Sequence, residues 1–151
     1  MYVANLNMLI RDAKADDLDA IIKIDEQISG IEKSAYWHDA YTEYQRHPDS
    51  RFFLVAEQEH EVMGFIMGEI RAWEFGSEPC GWVFAIGIRQ EIVLSGVGSR
   101  LLDKLCDCFK RKGVAKVRTM TAKQANELLS FFRSQGMMAG PYLQLEKDLN
   151  D

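Results

Sequence analysis

A glycine pair constrains this chain more than any other feature. Ile92-Val93-Leu94-Ser95-Gly96-Val97-Gly98-Ser99 follows an apolar, β-forming run, Trp82-Val83-Phe84-Ala85-Ile86-Gly87-Ile88. After the pair, Leu101, Leu102, Leu105 and Phe109 recur at helical spacing as far as Lys110-Arg111-Lys112-Gly113. The pattern predicts a strand, a glycine turn and a helix N-terminus in succession. Glycines let backbone approach a ligand closely, and the first N–H groups of a helix have no partner of their own. Such a corner can hold a phosphate or pyrophosphate. The same pattern also describes a plain strand-to-helix turn, and locally both readings stand.

The chain has 151 residues, enough for one domain with a real core, and no linker, repeat or low-complexity stretch divides it. No apolar run approaches a membrane span. Met1-Tyr2-Val3-Ala4-Asn5-Leu6-Asn7 lacks the basic start and apolar core of a signal peptide, so a cytoplasmic location is expected. Cys80, Cys106 and Cys108 have neither zinc spacing nor an even count, and read as reduced thiols. Residues 1–80 carry 16 acidic and 7 basic side chains; residues 81–151 carry 7 and 11. An acidic half beside a basic half suits a cation on one side and an anion on the other, though uneven surface charge gives the same count. The basic residues form no stripe interleaved with aromatics, which argues against nucleic acid.

Along the chain, Met8-Leu9-Ile10-Arg11 predicts a first strand. Asp16 or Asp17 then caps a helix through Leu18, Ile21, Ile22 and Ile24 that Gly30 ends or interrupts. A second helix is expected from Ser34 to Arg46, stopped by Pro48. Phe52 to Ala56 and Val62 to Trp73 predict a hairpin with its turn at Glu59-His60-Glu61. Strands are also expected from Ala115 to Thr121 and from Tyr142 to Glu146, with a helix from Asn126 to Gln135 between them. The hairpin makes the expected fold α/β, with a mixed, mostly antiparallel central sheet flanked by helices.

This order and the glycine turn resemble the GNAT-fold N-acetyltransferases over nearly the whole chain. That family's signature is a strand followed by Gln/Arg-x-x-Gly-x-Gly/Ala opening a helix, matched here by Gly96 and Gly98. A second family feature, an Asn near the start of the next helix, an aromatic pair and then Gly-Phe, is matched by Asn126, Phe131, Phe132 and Gly136-Met137. The resemblance implies acetyl-CoA as co-substrate. Its pyrophosphate would meet backbone of Val93, Leu94, Ser95, Gly96, Val97, Gly98 and Ser99. Its pantetheine arm would run along Ile86, Gly87 and Ile88, with Asn126 and Phe132 toward its end. Arg100, Lys104 and Arg133 are candidates for the outer phosphate. The family often forms dimers, so the resemblance admits a homodimer. The chain departs from the family at Val93, which stands where Gln or Arg is usual. Phe132 replaces a Tyr that acts as general acid in some relatives, and Thr121 replaces a Glu found in others.

Transfer of an acetyl group to an amine requires a neutral amine, a polarised thioester carbonyl and close placement. Backbone N–H groups near Ile86 to Ile88 suit the carbonyl. Glu69 is the candidate base, with Glu74 second and Arg71 on the same strand face as a partner for Glu69. Tyr142 is a candidate acid in place of the tyrosine lost at Phe132; water, or no acid at all, is the alternative, since a CoA thiolate leaves tolerably on its own. The acceptor, an amine of a small molecule, a peptide N-terminus or a lysine, would meet the first two helices and the hairpin. Tyr36, Trp37, His38, Tyr41 and Trp73 lie there, although Trp37 and Tyr41 at i and i+4 equally suit helix packing. Two other readings remain open: an acyl-CoA sensor without turnover, and a nucleotide-binding domain. The latter lacks the P-loop lysine and the third glycine of Gly-x-Gly-x-x-Gly, where Leu101 stands.

Overall fold

The structure, a computed structural model, describes residues 2–3, 7–94 and 96–150, with backbone alone for 2, 3 and 92–94. It divides into two compact units, Met1–Met120 and Thr121–Asp151.

In the first unit, β1 (Tyr2–Val3) precedes β2 (Leu9–Asp12), then α1 (Leu18–Ser29) and α2 (Ser34–Arg46). The hairpin β3 (Arg51–Gln58) and β4 (Glu61–Arg71) follows, then β5 (Cys80–Ile88), β6 (Ile92–Leu94), α3 (Val97–Arg111) and β7 (Val117–Thr119). The main sheet runs β2-β3-β4-β5-β7, antiparallel except for the parallel β5–β7 pair. A separate parallel pair joins β1 to β6, Tyr2 opposite Ile92 and Val3 opposite Leu94. The expected mixed, mostly antiparallel sheet is present.

The hairpin turns on two residues, Glu59 (φ 52°) and His60 (φ 64°), with Gln58 paired to Glu61. Two consecutive left-handed residues give a twist that matches the flanking strands. Asp17 does not cap α1 through its side chain. Its carboxylate instead accepts from the Lys14 N–H (2.7 Å) and from both terminal nitrogens of Arg11 (2.8 and 2.9 Å), closing the short turn Ala15–Asp17 ahead of the helix.

Strand alternation divides the core between the two faces of the sheet. Phe53, Val55, Phe65 and Met67 face α1 and α2 and pack with Leu18, Ile21, Ile24 and Trp37. Trp37 is 2% exposed and its indole donates to Asp25 at 3.0 Å, so it belongs to the core rather than to an acceptor pocket. Tyr41 packs with Tyr44 and Phe53 in the same layer.

On the other face, α3 lays Leu101, Leu105 and Phe109 against the sheet. A Cβ at Gly81 would stand 2.5 Å from the Phe109 ring, so β5 admits that ring only because position 81 has no side chain. Phe109 is buried and also meets Phe52 edge-on at 5.5 Å. Gly81→Ala is expected to cost about 1–2 kcal/mol through overpacking. In a chain of this size that lowers Tm by about 3–6 °C. An unchanged calorimetric Tm would show that Phe109 moves aside freely.

The second unit contains α4 (Asn126–Ser134), with Phe132 buried beside Phe131. The strand expected at Tyr142–Glu146 does not form; those residues have no regular structure. The alternation there has no inner face to exploit, since Tyr142, Leu143 and Leu145 are all exposed. Without a partner edge or a buried face, period-two patterning does not make a strand.

Candidate functional site

A fork in the sheet defines the site. β5 and β7 pair only from Gly81–Val117 to Val83–Thr119. At the end of that ladder the Thr119 hydroxyl donates to the Val83 carbonyl at 2.8 Å. Beyond it, Ala85 to Ile88 stay paired with β4 on one side, while no strand among the described residues pairs with the other edge of Phe84 to Ile88. Backbone donors and acceptors on an open strand edge are a template for an extended partner. Ile86, Gly87 and Ile88 lie on this edge.

The fork coincides with a β-bulge. Met67 pairs with Ala85 and Gly68 with Val83, leaving Phe84 as an extra residue. Phe84 and Ala85 consequently both pack toward the α1–α2 core, where regular alternation would send them to opposite faces.

From Ile88 the open edge leads to the glycine corner. The connecting turn is tied down on three sides. Arg89 pairs with Glu61 at 2.9 Å, Gln90 donates to the Gln27 carbonyl at 3.1 Å, and Gln27 donates to Glu91 at 3.3 Å. β6 then holds Val93 and Leu94 beside β1. Ser95 lies outside the described residues.

Gly96 is the N-cap of α3 with φ 120° and ψ −22°, a conformation that disfavours any L side chain. A Cβ there would meet nothing within 4 Å. The helix ladder begins with the Arg100 N–H donating to the Gly96 carbonyl at 3.0 Å. The N–H groups of Val97 and Gly98 therefore have no acceptor within the helix. Gly96 has no side chain with which to cap this end, and no acidic residue lies in the first turn, while Lys110 and Arg111 sit in the last. Ser99 completes the first turn, and the positive end of the helix dipole there favours an anion.

The three cations proposed for an outer phosphate differ. Arg100 is engaged with the Met8 carbonyl at 2.8 Å. Lys104 lies exposed on α3, and Arg133 lies exposed on α4 in the second unit. Asn126 is the first residue of α4, exposed, and Tyr142 is 49% exposed; with Phe132, both belong to the second unit.

Glu69 lies on β4 opposite Trp82 and Arg51. One carboxylate oxygen accepts from Arg71 Nε and the other pairs with an Arg51 terminal nitrogen, both at 2.9 Å. Arg71 was expected on the same face as Glu69 and does pair with it. Arg51 was not expected. It opens β3, eighteen residues earlier, and only the strand register of Arg51 with Glu69 reveals the pair. Glu74, 4.0 Å from Arg71, is about half exposed, as is Tyr36. Trp73 and His38 are exposed.

The cysteines offer no exposed nucleophile. Cys80 is buried, with Arg118 donating to its sulfur at 3.4 Å, and Cys108 is buried. Burial pushes the Cys106 thiol above its ordinary range, and Asp103 adds to the shift. Among the described residues no cluster of His, Cys, Asp and Glu could hold a metal, and no helix is long and apolar enough to cross a membrane.

The model of the Acetyltransferase (GNAT) family matches residues 18–137. Solved structures with similar folds include the aminoglycoside N-acetyltransferase AAC(6')-Iy in complex with CoA. It is 16% identical, covers 95% of this chain and 96% of its own, and has a TM-score of 0.82. A transcriptional regulator from Bacillus halodurans C-125 is 17% identical with a TM-score of 0.80, covering 95% and 100% of the two chains. Glucosamine-6-phosphate N-acetyltransferase from Arabidopsis thaliana is 17% identical with a TM-score of 0.74, covering 95% and 99%.

Proposed function

Since this chain belongs to the GNAT acetyltransferase family, we propose that it transfers an acetyl group from acetyl-CoA to a primary amine. The observation that carries the proposal is the continuity of the fork with the glycine corner. An open strand edge from Phe84 to Ile88 leads into a helix that starts on a glycine and has no acidic residue in its first turn.

The residues fit the co-substrate. Backbone groups at Val93, Leu94, Ser95, Gly96, Val97, Gly98 and Ser99 would hold the pyrophosphate. The amide-bearing arm matches the edge of Ile86, Gly87 and Ile88 as a short extra strand would. A ligand anchored at the helix start and laid back along β5 ends near the bulge at Phe84, where backbone N–H groups can polarise a carbonyl. Acetyl-CoA supplies the activated acyl group; the chain supplies placement and removal of the amine proton. For that proton we propose Glu69, acting through a water, since it sits on the strand beside β5 at the level of the bulge. Asn126 and Phe132 keep the cofactor-binding roles that the resemblance implies, as proposals, and Tyr142 is proposed as a substitute acid for the tyrosine that Phe132 replaces.

Two measurements test this. Calorimetry with CoA reports the cradle, and thiol release from acetyl-CoA across an amine panel reports transfer. CoA binding without release on any amine would make the chain a sensor instead; no CoA binding would end the proposal. Glu69→Gln is expected to lower kcat by about 100-fold, the usual scale for a general base, with CoA affinity unchanged. A kcat equal to the parent's across pH would remove Glu69 from the chemistry.

A further inference from the structure

We propose that the amine acceptor carries an oxyanion, a carboxylate or a phosphate, and that Arg51 and Arg71 recognise it. The inference rests on the acetyltransferase reading, which places the acceptor at the Phe84 end of the open edge.

Three observations converge there. Arg51 and Arg71 come from different strands and face the same side of the sheet, drawn together by one carboxylate. Glu69 takes a terminal nitrogen of Arg51 and the Nε of Arg71, both at 2.9 Å. Two guanidinium groups against one carboxylate leave a net positive charge on this triad. The rest of the guanidinium hardware is uncommitted. The other nitrogens of Arg51 and both terminal nitrogens of Arg71 have no acceptor among the described residues. Arg71 approaches Glu74 only through its Nε, at 4.0 Å, and Glu74 is 53% exposed, so that contact is a weak competitor.

The second observation is orientation. The Arg71 guanidinium carbon lies 4.9 Å over the centre of the Trp82 ring, and that of Arg51 lies 5.8 Å over the Phe84 ring. Cation–π attraction to a ring face restrains where a guanidinium sits without using up its N–H donors. Phe84 is also the bulged residue and the first on the open edge, so Arg51 stands beside the point where the acyl group would arrive.

The third is partial exposure. The side chains of Arg51 and Arg71 are 26% and 36% exposed, enough to reach solvent but partly desolvated. A fork of guanidinium donors in that setting binds carboxylate and phosphate oxygens in paired hydrogen bonds.

The acidic N-terminal half of the chain favours a cationic acceptor on net charge, but distance decides between the two. Charges spread over the surface are screened beyond about 8–10 Å at physiological salt. Arg51 and Arg71 act at contact. An acceptor with both an ammonium and an oxyanion satisfies Glu69 and the two arginines together.

The test uses binding to the CoA-loaded full chain with two pairs of amines. Tyrosine and tyramine differ by a carboxylate; glucosamine 6-phosphate and glucosamine differ by a phosphate. In at least one pair the anionic member is expected to bind about 10-fold more tightly, as charge-assisted paired hydrogen bonds imply. The pair that discriminates tells carboxylate from phosphate. Arg51→Gln and Arg71→Gln should each remove most of the difference, and Arg71→Lys should keep part of it because charge remains without the fork. CoA affinity, measured on every variant, shows that the fold persists. Equal binding within both pairs, or a difference that survives both Gln variants, overturns the inference while CoA binding leaves the acetyltransferase reading standing. Failure of the parent chain to bind CoA removes both.

Discussion

Gly96→Asp will lower CoA affinity by at least about 100-fold, equivalent to about 2.7 kcal/mol. Two effects add. The backbone at Gly96 has φ 120°, so any side chain there strains the turn by about 1–3 kcal/mol. The carboxylate then places a negative charge at the positive end of a 15-residue helix, in the place proposed for a diphosphate. Space is not the cause, since a Cβ at Gly96 meets nothing within 4 Å. Gly96→Ala separates the two contributions. It carries the strain without the charge, and should lose stability by a similar amount but affinity by much less. Calorimetric titration with CoA and thermal melts of both variants check this. If Asp and Ala lower affinity equally, the corner does not receive an anion; if neither does, the cradle lies elsewhere.

Much of this arrangement was legible in the sequence, and what was not has identifiable physical reasons. Helices α1, α2 and α3 announce themselves through long apolar periods and sharp stops at Gly30 and Pro48, and the hairpin through two short apolar, β-forming runs either side of Glu59-His60. The bulge at Phe84 was not legible. A one-residue slip inside an apolar run leaves no trace in composition, and only the pairing of Met67 with Ala85 and Gly68 with Val83 exposes it. The end of the β5–β7 ladder was hidden likewise. Thr119 looked like any strand threonine until its hydroxyl met the Val83 carbonyl. Arg51 carries no local signal because its partner is set by register, whereas Arg71 lies two residues from Glu69 on the same strand face. Tyr142–Glu146 shows the reverse error, an alternation that promised a strand and had no buried face to support one. Local pattern finds elements; long-range pairing decides which side chains share a site.

Asp17→Asn should destabilise the chain by about 2–3 kcal/mol at neutral pH, near the lower end for breaking a buried pair because Arg11 keeps Glu57 at 3.1 Å. Asp17 is 6% exposed and accepts from both terminal nitrogens of Arg11 and from the Lys14 N–H. Burial opposes its ionisation, but the hydrogen bonds from Arg11 and Lys14 outweigh burial and hold its carboxyl below the usual range. The sign of the pH dependence follows. Between the folded value and the unfolded value near 3.9, the unfolded chain binds more protons at Asp17, so stability rises with pH there. The contribution is complete above the unfolded value and disappears as pH falls through the folded one. The difference between parent and Asp17→Asn in urea unfolding should accordingly be constant from pH 7 to about 5 and shrink progressively below about pH 4. A difference that persists unchanged into strong acid would mean that the asparagine acts through packing and not through lost charge. The result bears on the site as well. Asp17 anchors the start of α1, whose far end holds the β5–β6 turn through Gln27 with Gln90 and Glu91. Loosening that helix loosens the approach to Gly96. Asp17→Asn should therefore weaken CoA binding modestly at neutral pH, without touching any residue that meets the ligand.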